Sequence, residues 1–88
     1  MKLIGRSLVQ SHDWSRSAKQ RLALWCLEIK AANWESFEDI QNQYPKSQCL
    51  ESGEVCFAFP SVGVNVVTRL AYNARVVAIT SVEYEKDN

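Results

Sequence analysis

Glycine and proline are scarce, five residues of 88 between them, and the glycines stand far apart at positions 5, 53 and 63. That scatter excludes a glycine-rich phosphate cradle, a collagen-like repeat and a low-complexity linker. Histidine occurs once, as His12, and the three cysteines, Cys26, Cys49 and Cys56, have no Cys-x-x-Cys spacing. A disulfide scaffold is excluded, a zinc site of the usual His/Cys type is not expected, and no residue pattern calls for a metal or cofactor. Neither sign of charge is in excess: ten basic residues balance ten acidic ones, and the pI is about 6.6. A chain devoted to gripping phosphate backbone usually carries a basic surplus, because each neutralised phosphate contributes through counterion release. The longest apolar run, Leu22 to Leu27, has six residues, far short of the ~18 that span a bilayer. No basic, apolar, small-residue signal pattern opens the chain, so a soluble cytoplasmic protein is expected.

What is present is a globular balance, with 47% apolar and 23% charged residues, enough for one domain over residues 1–88. The first half reads helical and the second half reads as strands, the pattern of an α+β domain. Met1–Ile4 is an apolar opening strand, and Arg6–His12 makes one or two helical turns. Ala18, Leu22, Trp25, Ile29 and Ala32 follow spacings of 4, 3, 4 and 3, which predicts a helix from about Ser15 to Ala32. Ser17 with Gln20 has the form of a capping box at its start. Leu24 and Leu27 widen the apolar stripe, so the helix is expected to be covered on more than one side. Ser36 to Asp39 opens a second, short helix that Pro45 ends, with Trp34, Phe37, Ile40 and Tyr44 burying one face. Cys26 and Cys56 fall in apolar segments and read as small core residues. Val55–Phe59, Val64–Tyr72 and Arg75–Val82 then form three strands of an antiparallel meander. Helices pack on one face of that sheet and leave the other partly open.

Most catalytic constellations are absent: no nucleophile elbow, phosphate loop, dinucleotide fingerprint or His-Glu-x-x-His. His12 lies in a polar stretch and reads as a surface residue. Glu38 and Asp39 read as first-turn acids that complement the helix dipole. Glu51 with Glu54, and Glu83 with Glu85 and Asp87, read as a loop and a solvated end. The second meander strand says more. By alternation Val64, Val66, Thr68, Leu70 and Tyr72 form its core face, while Asn65, Val67, Arg69 and Ala71 face the open side. Arg69 there either contacts a phosphate or carboxylate or is paired within the fold. Tyr84 is expected to sit beside it.

Several blocks of the chain resemble the HigB branch of the RelE-type toxins, the small toxins of bacterial toxin–antitoxin pairs. They are Met1-Lys2-Leu3-Ile4, Trp25 with the run Leu27–Trp34, Ser36–Ile40, Tyr44-Pro45, Val55-Cys56-Phe57, and Arg69 with Tyr72, Val76, Val77 and Ile79. The ending Glu83-Tyr84-Glu85-Lys86 resembles the family's as well. The resemblance implies a RelE/HigB-like fold in which an N-terminal strand and helices pack on an antiparallel sheet. It also implies ribosome-dependent mRNA cleavage, with ribosome and mRNA as partners besides an antitoxin. Carried over by position, Arg69, Tyr84 and Glu85 are the catalytic candidates, and Asn65, Arg69, Arg75, Tyr84 and Lys86 the binding candidates.

The departures fall on the chemistry. Asn65 and Thr80 stand where the family carries arginines, and the Gly-Thr-His segment before the final Glu-Tyr is missing. Each charge-stabilising group lost from a preorganised site costs ~10²–10³ in rate. The leading expectation is therefore a non-catalytic binding protein on a HigB-like scaffold. It inhibits or regulates a protein or ribonucleoprotein partner, one version being a phage or mobile-element counter-defence protein such as an anti-CRISPR. An active mRNA interferase is the alternative. A second alternative is an inactive decoy that binds an antitoxin through the helix face around Leu24 and Leu27.

Overall fold

A computed structural model describes residues 1–10 and 14–84. In chain order the elements are β1 (Lys2–Ile4), α1 (Ser7–Gln10), α2 (Arg16–Ala31), α3 (Phe37–Gln43), β2 (Gln48–Cys49), β3 (Val55–Phe59), β4 (Val64–Ala71) and β5 (Val76–Tyr84). The strands form one five-stranded sheet in the order β1-β5-β4-β3-β2. The α+β class and the β3–β4–β5 meander are as the sequence predicts. The sheet is mixed, however, since β1 runs parallel to β5 while the other pairs are antiparallel. The two-residue β2 has no counterpart among the sequence expectations.

Helix α2 is the main element of the helical layer. Its N-cap is Ser15, whose side chain accepts from the Ala18 N–H at 3.2 Å. The expected Ser17/Gln20 box is thus corrected: Ser15 keeps an extended backbone, while Ser17 is already inside the first turn. At the other end the Met1 ammonium donates to the carbonyls of Ile29, Lys30 and Ala32 at 3.0, 3.2 and 3.0 Å. It satisfies acceptors that a helix C-terminus leaves open and puts positive charge at the negative dipole end. In α3 the capping serine, Ser36, makes no side-chain bond. Asp39 instead reaches back to accept from the Glu35 N–H at 2.9 Å.

The periodic face of α2 is the buried one, with Ala18, Trp25 and Ile29 at 0% exposure and Leu22 and Cys26 at 2%. Trp25 packs edge-on to Phe57 and Phe59, with ring centroids 5.3 and 6.1 Å apart. Trp34 stacks on Phe57, and Tyr44 meets the same ring edge-on. Each such fully buried side chain contributes about 1.5–3 kcal/mol through apolar burial. The expected wider covering of α2 is not found. Leu24 and Leu27 are 51% and 60% exposed, because among the described residues no further layer lies over that side of the helix.

Two turns set the strand faces. Residues 60–63 make the β3–β4 turn, with Gly63 at φ 68. Arg75 belongs to the β4–β5 turn rather than to a strand, and it holds φ 57 without being a glycine. Between β1 and α1, Gly5 passes so close to β5 that a Cβ would lie 2.8 Å from the Ile79 carbonyl oxygen. Only glycine fits both that approach and its φ of +86°.

Candidate functional site

Alternation along β4 holds as the sequence predicts. Val64, Val66 and Thr68 are buried under the helices, and Asn65, Arg69 and Ala71 lie on the open side; Val67, expected there with them, is buried at 8% exposure. The open face is built largely from small side chains: Ala58 on β3, Ala71 on β4, and Ala78 and Ser81 on β5. Arg69 stands on it opposite Ala78, exposed, and makes no ion pair or hydrogen bond among the described residues. Its electrostatic neighbour is Glu54. That carboxyl is held below its usual value first by the Thr80 hydroxyl, which donates at 2.7 Å, then by Ser52, with the Arg69 charge adding to both.

Glu83, exposed, pairs in register with Asn65. By register the open face carries two cations, Arg69 and Lys2, the latter paired with Val76 opposite Ala71, and two carboxylates, Glu54 and Glu83. Cys56 lies on the same face, and its thiol is pushed up by burial and by the Glu83 charge. A surface so charged does not concentrate a phosphate backbone.

Tyr84 does not sit beside Arg69. The β4–β5 register runs Thr68↔Ile79 and then Val67↔Ser81, so Thr80 is an extra residue without a partner across the ladder. Beyond that bulge the alternation of β5 is reversed. Tyr84 pairs with Val64, a core-facing residue, and its ring meets Trp14 at 5.2 Å on the helix side of the sheet. Arg69 is on the opposite side, five residues further along β4, or roughly 16 Å at the usual strand rise. The expectation that the two share a site is corrected on both counts.

Arg75 is separated from both. It lines a cleft of about 280 Å³ with Trp34, Glu35, Tyr72 and Asn73, at the β4–β5 turn. Tyr72 is raised by burial, then by the Cys49 and Asp39 charges. Four residues singled out in the sequence, His12, Glu85, Lys86 and Asp87, lie outside the described residues. Among the described residues no three or more His, Cys, Asp or Glu gather as a metal site, and no helix is long and apolar enough to cross a membrane.

The sequence reading missed one polar cluster altogether. Arg21 and Tyr44 both donate to Glu28 Oε1, at 3.2 and 2.6 Å, and the Arg21 guanidinium lies 4.7 Å over the Phe59 ring. The Tyr44 phenol is pushed far up, first by burial and then by its bond to Glu28 and the charge there. Arg21, Tyr44 and Phe59, with Lys46 and Pro60, line a groove of about 700 Å³ beside β3, where β2 pairs only with Val55 and Cys56. The seven-residue spacing of Arg21 and Glu28 on one helix face is the signal that points to half of it. Tyr44 comes from another element and leaves no local trace.

The model of the HigB toxin family, the RelE-like toxic component of a toxin-antitoxin system, matches residues 18–86. The chain belongs to that family. No curated protein matches it. The HigB match runs from the first turn of α2 through β5, so Asn65, Arg69, Arg75, Tyr84, Glu85 and Lys86 all fall inside it. The helix-on-sheet architecture is that of a RelE/HigB-like protein, and the toxin scaffold is kept through the meander.

Proposed function

We propose that this HigB-family chain acts by binding a macromolecular partner, as an inhibitor or regulator, and not by cutting RNA. The observation that carries the reading is the separation of Arg69 and Tyr84 on opposite faces of the sheet. General acid–base cleavage of RNA needs its proton-transfer group within hydrogen-bond reach of the reacting phosphate, which the charge-stabilising cation must also touch. Two groups separated by the thickness of a β-sheet do not meet that requirement. The carboxylates of Glu54 and Glu83 on the same face as Arg69 support the same reading, as does the neutral overall charge.

The test is message integrity in a bacterial translation extract to which the purified protein is added, read by primer extension. Intact message is the expected result. Discrete cuts within translated codons, lost in Arg69→Ala or Tyr84→Phe, would overturn the proposal in favour of an mRNA interferase. A decoy role towards an antitoxin is a second reading, favoured by the exposure of Leu24 and Leu27. In that case the protein co-purifies with a neighbouring helix-turn-helix antitoxin. Neither reading singles out the counter-defence version, whose partner only a binding assay identifies.

A further inference from the structure

The geometry points to a binding site for a small aromatic carboxylate in the pocket between α1 and α2. Val9 of α1 with Leu22 and Cys26 of α2, all buried, make an apolar floor. The Trp14 indole forms a wall, and the exposed Arg6 and Lys19 line the pocket beside it. The volume is about 200 Å³.

The pocket stays open because that wall is held in place. The Trp14 Nε1–H donates to the Val9 carbonyl at 2.7 Å, and the Tyr84 ring meets the same indole at 5.2 Å. The indole is thereby fixed to α1 and to the end of β5. On α2, Lys19, Ala23 and Cys26 follow spacings of 4 and 3 and share one face, about 100° round the helix from Leu24 and Leu27. Ala23, exposed, presents only a methyl group where a longer side chain would fill the space. A cavity built in advance costs little ordering when a ligand enters.

Size and charge set the ligand class. An apolar cavity of about 150 Å³ holds a benzene ring, whereas drug-sized ligands occupy roughly 300 Å³ or more. At about 200 Å³ the pocket suits one ring with a short arm. Both charged residues that line it are cations, and no carboxylate lines it among the described residues. The Arg6 charge reaches the floor as well: burial pushes the Cys26 thiol up, and Arg6, followed by Lys30, acts against that rise. This end of the chain is basic although the whole is neutral, since residues 1–32 carry six basic and two acidic side chains. A ring seated against Trp14 and Leu22 therefore puts a carboxylate arm beside Arg6 or Lys19. An amine of the same shape meets two like charges. The pocket lies on the helix side of the sheet and shares no residue with the face that carries Arg69. The inference does not depend on whether the chain cleaves RNA, so the two tests fail independently.

The probe is 4-fluorophenylacetate, titrated with the full chain at low salt and followed by fluorine NMR. Saturable binding is expected. 4-Fluorophenethylamine, with the same ring and the opposite charge, should bind about tenfold more weakly, and trifluoroacetate, an anion without a ring, should show no saturable binding. Ala23→Leu extends a side chain into the pocket and should abolish binding of the carboxylate. The double change Arg6→Gln/Lys19→Gln should weaken it about tenfold and erase the preference over the amine. All three positions are exposed, and circular dichroism confirms that each variant is folded. Absence of saturable binding, or binding that Ala23→Leu leaves intact, would overturn the inference. Equal binding of the amine would overturn it by making the cations irrelevant. Trifluoroacetate binding as tightly as the aryl carboxylate would overturn it by making the apolar floor irrelevant.

Discussion

Replacing Tyr44 with phenylalanine removes the 2.6 Å bond that ties the end of α3 to Glu28 on α2. A hydrogen bond to a charged group contributes about 1.5–3 kcal/mol when buried. Here the gain is smaller, because Glu28 keeps Arg21 and its side chain is 30% exposed, so water replaces part of what is lost. The expected cost near neutral pH is about 1 kcal/mol, or ~4–8 °C in melting temperature for a domain of this size. The pH dependence is more diagnostic. The folded phenol is raised above its usual value, so above about pH 10 the unfolded chain releases a proton that the folded chain retains. Stability from this group is fully present below that pH and falls as pH rises, by up to about 1.4 kcal/mol per pH unit. Tyr72, also raised, contributes in the same direction. The difference between wild type and Tyr44→Phe isolates Tyr44. Urea unfolding followed by tryptophan fluorescence between about pH 8 and about pH 11 measures it. The two stability curves should converge as pH rises above 10. Parallel curves across that range would refute the clamp.

Three further perturbations test the fold that presents α2. Ser15→Ala should cost about 1 kcal/mol in urea unfolding, while Ser17→Ala stays within ~0.5 kcal/mol; the reverse order would restore the cap to Ser17. Acetylating the Met1 amine removes the charge that three carbonyls share, and the melting temperature should fall by the equivalent of about 1–2 kcal/mol. An unchanged transition would show that the ammonium caps nothing. Gly5→Ala combines a left-handed backbone with a Cβ driven into the Ile79 carbonyl, and should cost at least about 2 kcal/mol in chemical denaturation. A smaller loss would mean that β1 shifts away from β5 at little expense.

Periodicity carried the sequence reading where a single element decides the outcome. The 4-3-4-3 spacing marks the buried face of α2, and the alternation on β4 correctly puts Arg69 in the open and Thr68 in the core. Neither pattern says how much of an apolar surface the rest of the chain covers. Leu24 and Leu27 therefore read as covered although they are more than half exposed. The parallel β1–β5 pairing joins residues more than seventy positions apart and leaves no local signal. The candidate site was only partly legible for a related reason. Placing Tyr84 requires counting alternation along β5, and Thr80, the residue that breaks the count, looks like any other strand threonine. The Glu28 cluster depends on α3 returning Tyr44 to α2, which no spacing within either helix encodes.

The unpaired Thr80 works as a switch of sidedness for everything that follows it. Ser81 and Glu83 face one side of the sheet and Val82 and Tyr84 the other because one residue more stands on β5 than β4 has partners for. Removing that residue would exchange the two sets while leaving the amino-acid order of the ending intact. Tyr84 would then come round to the side of Asn65 and Arg69, and Glu83 would turn inward towards Trp14. The ancestry of such a chain would be misread from a list of retained residues, since a tyrosine can survive in the text of the protein while leaving the surface on which it served. Between relatives that share this ending, the length of the last strand, counted against its neighbour, tells more about shared chemistry than the letters in it.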